Sequence, residues 1–135
     1  MKIYKRIYAV MTAVLLLFVC TQCEEHKIGP LEGNDNPPGE VTNVSVENQA
    51  GKARVTYVLP RDQDLLYVKA VYEIRPGVVR EIKSSYYANS MELDGFADTE
   101  DHEVRLYAVN RSEVASAPVM VTVRPLENPI WAVYR

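Results

Sequence analysis

Cysteine is almost missing from this sequence: of 135 residues only Cys20 and Cys23 carry a thiol, and both lie in or at the edge of an apolar amino-terminal stretch. The body of the chain has none, which excludes a disulfide framework. A single C-x-x-C with no second ligand pair also falls short of the four ligands a structural zinc needs. Histidine is scarce as well. His26 and His102 stand 76 positions apart, and His102-Glu103 lacks the second histidine of H-E-x-x-H, so a hydrolytic zinc site is unsupported. The six glycines include neither G-x-G-x-x-G nor a Walker loop, which removes the usual nucleotide cradles. Ser84, Ser85 and Ser90 have no evident base, and G-x-S-x-G is missing, so no catalytic residue, metal ligand or cofactor site is named.

A hydrophobic run long enough to span a bilayer is missing too. The longest, Ile7 to Cys20, has 14 residues, where a spanning helix needs about 20. Lys2, Lys5 and Arg6 precede it, and Cys23, Glu24 and Glu25 follow. That order of charge, apolar run and polar start is expected of an export signal. It resembles the bacterial lipoprotein signal, in which a cysteine receives a diacylglyceryl group and becomes the new amino terminus. Cys23 is the expected lipid site, with the membrane as its partner. Gln22 occupies a place where a small residue is usual, and Cys20 after Val19 fits no better. The competing reading is a plain secretory peptide cut nearby. In lipoproteins of the Bacteroidetes type, acids after the cysteine resemble a signal for display on the outer face of the outer membrane, a pattern Glu24 and Glu25 match.

Setting residues 1–22 aside leaves room for one ordinary domain. The leader holds three of the 15 basic residues and none of the 18 acidic ones, so the remainder is acidic and has no Lys/Arg cluster. A nucleic-acid partner is thereby excluded, since phosphate binding needs a basic face. Residues 23–39, rich in Gly, Pro and Asn, read as a flexible tether whose coil dimension is on the order of 20–25 Å. From residue 40 onward the chain alternates with a period of two. Val44 and Val46 mark one strand, Ala53, Val55 and Tyr57 the next. Leu66, Val68, Ala70, Tyr72 and Ile74 share a face, followed by Val78 to Ile82, a short strand at Met91 and Leu93, then Val104, Leu106 and Ala108, and finally Val119 to Val123. Turn signals at Asn48 to Gly51, Pro76-Gly77 and Asp94-Gly95 separate them. Seven strands without a convincing helical period predict an all-β chain, a single antiparallel Ig-like β-sandwich over 40–126. Residues 127–135 read as a linker or the start of a following domain, because Trp131, Val133 and Tyr134 ordinarily find a core. An added edge strand is the alternative.

The segment Ala53 to Pro60 and the segment Val104 to Asn110, with Pro38 ahead of the first strand, resemble a fibronectin type III domain. Tyr57 stands where that pattern has a core tryptophan, and His102 where it has a corner tyrosine, from which it can still donate to a carbonyl. Lys27 to Pro30, Asp64 to Ala70, Ser84 to Ser90 and Leu106 to Ser112 together resemble the DUF4959 family of Bacteroidetes surface lipoproteins. The resemblance implies a membrane-proximal module followed by further β domains, encoded with polysaccharide uptake machinery. Its implied partners are glycans or polysaccharide-uptake proteins.

Tyr86 and Tyr87 are the aromatic pair able to stack on a sugar ring, with Tyr107 and Trp131 as company. Along a strand, alternation leaves at most one of the pair on an exposed platform. Acids at Asp62 and Asp64, and at Asp98, Glu100 and Asp101, read as solvated loop tips; they lack EF-hand spacing, and paired acids of a glycosidase cannot be measured from sequence. The expected function is a non-catalytic spacer or interaction module of a surface glycan-binding protein in the cell envelope. Direct carbohydrate binding and a polysaccharide-acting enzyme fragment are the alternatives.

Overall fold

A computed structural model describes residues 1–18 and 33–134, apart from the side chains of residues 13–18 and 132. The apolar amino-terminal stretch forms helix α1 (Lys2–Phe18). No described helix is long and apolar enough to cross a membrane. Cys20 and Cys23, with the acids that follow them, lie outside the described residues.

Seven strands follow in the predicted places: β1 (Thr42–Gln49), β2 (Lys52–Val58), β3 (Leu65–Arg75), β4 (Val78–Ser85), β5 (Ser90–Asp94), β6 (His102–Asn110) and β7 (Val119–Val123). They form two antiparallel sheets, ordered β1-β2-β5 and β4-β3-β6-β7. The period-two pattern dictates this, because each strand offers one apolar row that only a second sheet can cover. Ala53, Val55 and Tyr57 face Val68, Ala70 and Tyr72, and Val104, Leu106 and Ala108 close the core. A register shift between Leu65 and Tyr67 exchanges faces at the start of β3, so Leu65 is buried and Leu66 only half-buried. The Pro76-Gly77 turn has the Pro-then-left-handed-Gly signature of a type II turn, with Gly77 at φ 80°.

The pairing register sorts the connections into two poles. Thr42 pairs with Val58, Leu65 with Asn110 and Tyr67 with Ser85, so one end gathers the start of β1, the β2–β3 loop, the β4–β5 turn and the β6–β7 turn. This is the proximal pole, where the chain joins the sandwich. Lys52 pairs with Asp94 and His102 with Val123, so the distal pole gathers the β1–β2 turn, the β5–β6 loop and the chain beyond β7.

Two boundaries differ from expectation. The stretch from Asn34 to Gly39 has no regular structure, as its composition predicts, yet it is not a free tether. Asn110, fully buried at the end of β6, donates from Nδ2 to the carbonyls of Asn34 (3.1 Å) and Asn36 (3.0 Å). Its Oδ1 accepts from the amides of Ser112 (3.0 Å) and Val114 (2.9 Å). Asn34 Nδ2 donates to Asp64 at 2.6 Å, and the Gly39 amide donates to Asp62 at 2.9 Å. The ordered body therefore begins some six residues before residue 40. At the other end, Leu126 exchanges backbone bonds of 2.9 Å with Gln49 and Gly51, and helix α2 (Pro129–Val133) follows in place of linker or strand. Asn128 caps α2 by accepting from the Ile130 amide at 3.2 Å, and Pro129 opens it.

Candidate functional site

The proximal pole carries the tyrosine pair. β4 ends at Ser85, so Tyr86 and Tyr87 occupy the turn before β5 and are freed from strand alternation. Both rings come to the same side, with centroids 4.0 Å apart and planes inclined by 33°. The expectation that they face opposite ways fails for this reason: alternation applies only where the backbone is pleated. Their hydroxyls are hydrogen-bonded to each other. That bond, with desolvation behind it, raises the Tyr86 phenol above its ordinary value, while Arg111 acts in the opposite sense. Tyr86 packs against the core and Tyr87 is 83% exposed. Tyr107 lies elsewhere, on the outer face of the four-stranded sheet beneath Lys69, whose Nζ is 5.5 Å from the ring centroid.

The distal pole carries the acids. His102 begins β6 and its Nδ1 meets the carbonyl oxygen of Glu73 at 2.9 Å. Its Nε2 meets Asp98 Oδ1 at 2.8 Å. The His102 bond, then the Glu100 amide at 3.1 Å, holds the Asp98 carboxyl below its ordinary range. Asp98 and Glu100 form a ridge between two hollows. A cavity of about 630 Å³ is lined by Ala97 to Glu100 on one wall and by Glu127, Asn128, Trp131 and Tyr134 on the other. A second, of about 410 Å³, has Arg75 and Arg105 among its acids. Among the described residues no group of acids, histidines and cysteines is arranged to hold a metal ion.

Asp62 and Asp64, expected as solvated tips, instead hold the incoming chain at Gly39 and Asn34. Nothing in the alternation of β6 announces Asn110; the only trace is a polar residue where the strand's apolar face ends.

Residues 38–125 match the family described as Domain of unknown function (DUF4959). The chain belongs to this family. No curated protein matches it. Among solved structures, the DUF4959 chain is similar to the FN1-FN3 domains of chicken CNTN1, with a TM-score of 0.61 and 15% identity over 70% of this chain and 34% of that one. It therefore spans about a third of that chain's length. The fn3 domain of human contactin 1 gives a TM-score of 0.59 and 13% identity over 73% and 87% of the two chains. The fn3 domain of human collagen alpha-1(XX) gives 0.58 and 12% over 71% and 92%. At these identities the likeness concerns the fold alone: the DUF4959 body is a β-sandwich with a fibronectin type III-like fold. Within it, Tyr57 is buried in the core at 1% exposure, and its hydroxyl has no hydrogen-bond partner among the described residues. The nearby Ser84 hydroxyl donates to the Ser90 carbonyl at 3.1 Å, and burial raises the Tyr57 phenol's pKa.

Proposed function

We propose that this chain is a non-catalytic module of the bacterial cell envelope, held by lipid on Cys23 at the outer membrane surface. It acts as a spacer or interaction domain of a glycan-binding, polysaccharide-utilising surface protein. The observation that carries the reading is the polar arrangement of the body. The incoming chain is clamped at one pole through Asn110, and the outgoing chain leaves Leu126 at the other, so the sandwich sets a fixed distance along its length. The leader supports the anchor by its charge order and its short apolar run. Replacing Cys23 with alanine is expected to abolish incorporation of labelled fatty acid and to release the product from membranes. Unchanged labelling would overturn the anchor.

A second reading, sugar contact at the proximal pole, is favoured by the exposed Tyr87 ring backed by Tyr86. Stacking of a pyranose on such a ring is expected to give measurable heat with a glycan panel, lost on Tyr87→Ala. Absence of heat with every glycan removes it.

A further inference from the structure

We propose that the proximal tyrosine pair takes an acidic sugar, a pyranose whose ring stacks on Tyr87 and whose carboxylate is held by the Arg111 guanidinium. The inference rests on the reading of sugar contact at this pole and names the class of sugar. β4 stops at Ser85, and the turn after it is fixed by its backbone. The Tyr86 amide donates to the Leu66 carbonyl at 3.3 Å and the Ala88 amide to the Ser85 carbonyl at 2.9 Å. Tyr86 packs on the core, and the bond between the two hydroxyls ties Tyr87 to it. One face of the Tyr87 ring is thus backed by its neighbour, while the residue as a whole stays 83% exposed. A ring held in place before a ligand arrives loses little rotamer freedom on contact. Tyr67 and Tyr107 each lie beneath a lysine, at 4.7 Å from Lys83 Nζ and 5.5 Å from Lys69 Nζ, and are closed to such stacking.

The charge beside the pair comes from another element. The Arg111 amide donates to the Asp64 carbonyl at 2.9 Å, which seats the β6–β7 turn at the same pole, and the Arg111 side chain meets the Tyr86 hydroxyl. The guanidinium therefore stands at the hydroxyl edge of the pair, one tyrosine away from the exposed ring. It is exposed, and one hydroxyl occupies a small part of its five N–H donors. The loop acids around it are engaged elsewhere: Asp62 accepts from the Gly39 amide, Asp64 from Asn34 Nδ2, and Glu113 from the Tyr67 hydroxyl at 2.6 Å. Asp35 and Glu40 on the incoming chain keep the pole acidic as a whole, so attraction of an anion is local to the fork and modest. A neutral pyranose gains the stacking and leaves the guanidinium to water. A carboxylate on the same ring adds a charge-assisted, bidentate contact that matches the fork. An acidic peptide offers the carboxylate without the flat apolar face that covers an aromatic ring.

The full chain, in a neutral detergent that carries no sugar, is titrated by calorimetry with hexamers of galacturonate and of mannuronate, each beside its uncharged methyl ester, and with pentaglutamate. The expected result is saturable heat with at least one acidic hexamer, at an affinity about fivefold above that of its ester, the size an exposed charge pair supports. Arg111→Gln, with an unaltered melting temperature, should bring the acid down to the affinity of the ester. Tyr87→Ala should abolish binding of both. Pentaglutamate should give no saturable heat. Equal affinity for acid and ester overturns the proposal and leaves the reading of sugar contact in place. Binding of pentaglutamate as tight as that of the hexamers overturns it in favour of an acidic peptide. No heat with any hexamer or ester overturns it as well. The lipid anchor is tested separately by labelling at Cys23, so either idea can fail without the other.

Discussion

Asn110 uses its amide to the full: two donors and two acceptances satisfy a side chain with no exposure. Each such bond contributes about 0.5–1.5 kcal/mol net, and removing one side strands buried partners. Asn110→Ala is therefore expected to cost about 3 kcal/mol, read from urea unfolding. Tyr57 is the opposite case. Its buried hydroxyl has no hydrogen-bond partner among the described residues, so Tyr57→Phe removes a desolvation cost and is expected to raise stability by about 1 kcal/mol in the same assay. At the distal pole the sign follows from Asp98, whose folded value lies below the ordinary 3.8. Its stabilising contribution is present above that ordinary value and fades as pH falls through the folded one. Asp98→Asn should flatten the loss of stability as pH falls below about 4, and an unchanged slope of the unfolding midpoint with pH would contradict this.

Elements follow from pattern where a face is buried, and depart from it where a local contact decides. All seven strands were legible because Val, Tyr and Leu recur every second residue and the Gly-containing turns separate them. The exchange of Leu65 for Leu66 was not, because a register shift is set by the partner strand and leaves no mark on periodicity. Tyr86 and Tyr87 look like a continuation of β4 until the turn after Ser85 brings both rings together. Their pairing was invisible for the same reason that Asn110 was: each depends on chain distant in sequence or on a backbone that has stopped alternating. Gly95 shows how tightly one turn is built. It sits at φ 92°, and a Cβ there would approach Arg80 Nη1 to 2.4 Å, displacing the guanidinium that pairs with Asp94 at 2.8 Å. Gly95→Ala should destabilise by about 1–2 kcal/mol from the left-handed backbone alone, measured by thermal melting.

For the whole molecule, the family match from residue 38 and the hydrogen bonds reaching back to Asn34 define the folded unit better than the onset of alternation does. A chain beginning at Glu40 loses the carbonyls that satisfy Asn110 and should melt several degrees below one beginning at Gly33, by about the 4–8 °C expected per kcal/mol for a domain of this size. Equal melting temperatures would mean that the clamp contributes nothing. The arrangement of poles has a mechanical consequence. A pull on the chain beyond β7 travels past the Leu126 contacts into the sandwich and reaches the incoming chain through the Asn34 and Asn36 carbonyls. Load is thus shared between strands in different sheets, and the first slack to be drawn out under tension is the short stretch ahead of β1, which would extend before any strand came free.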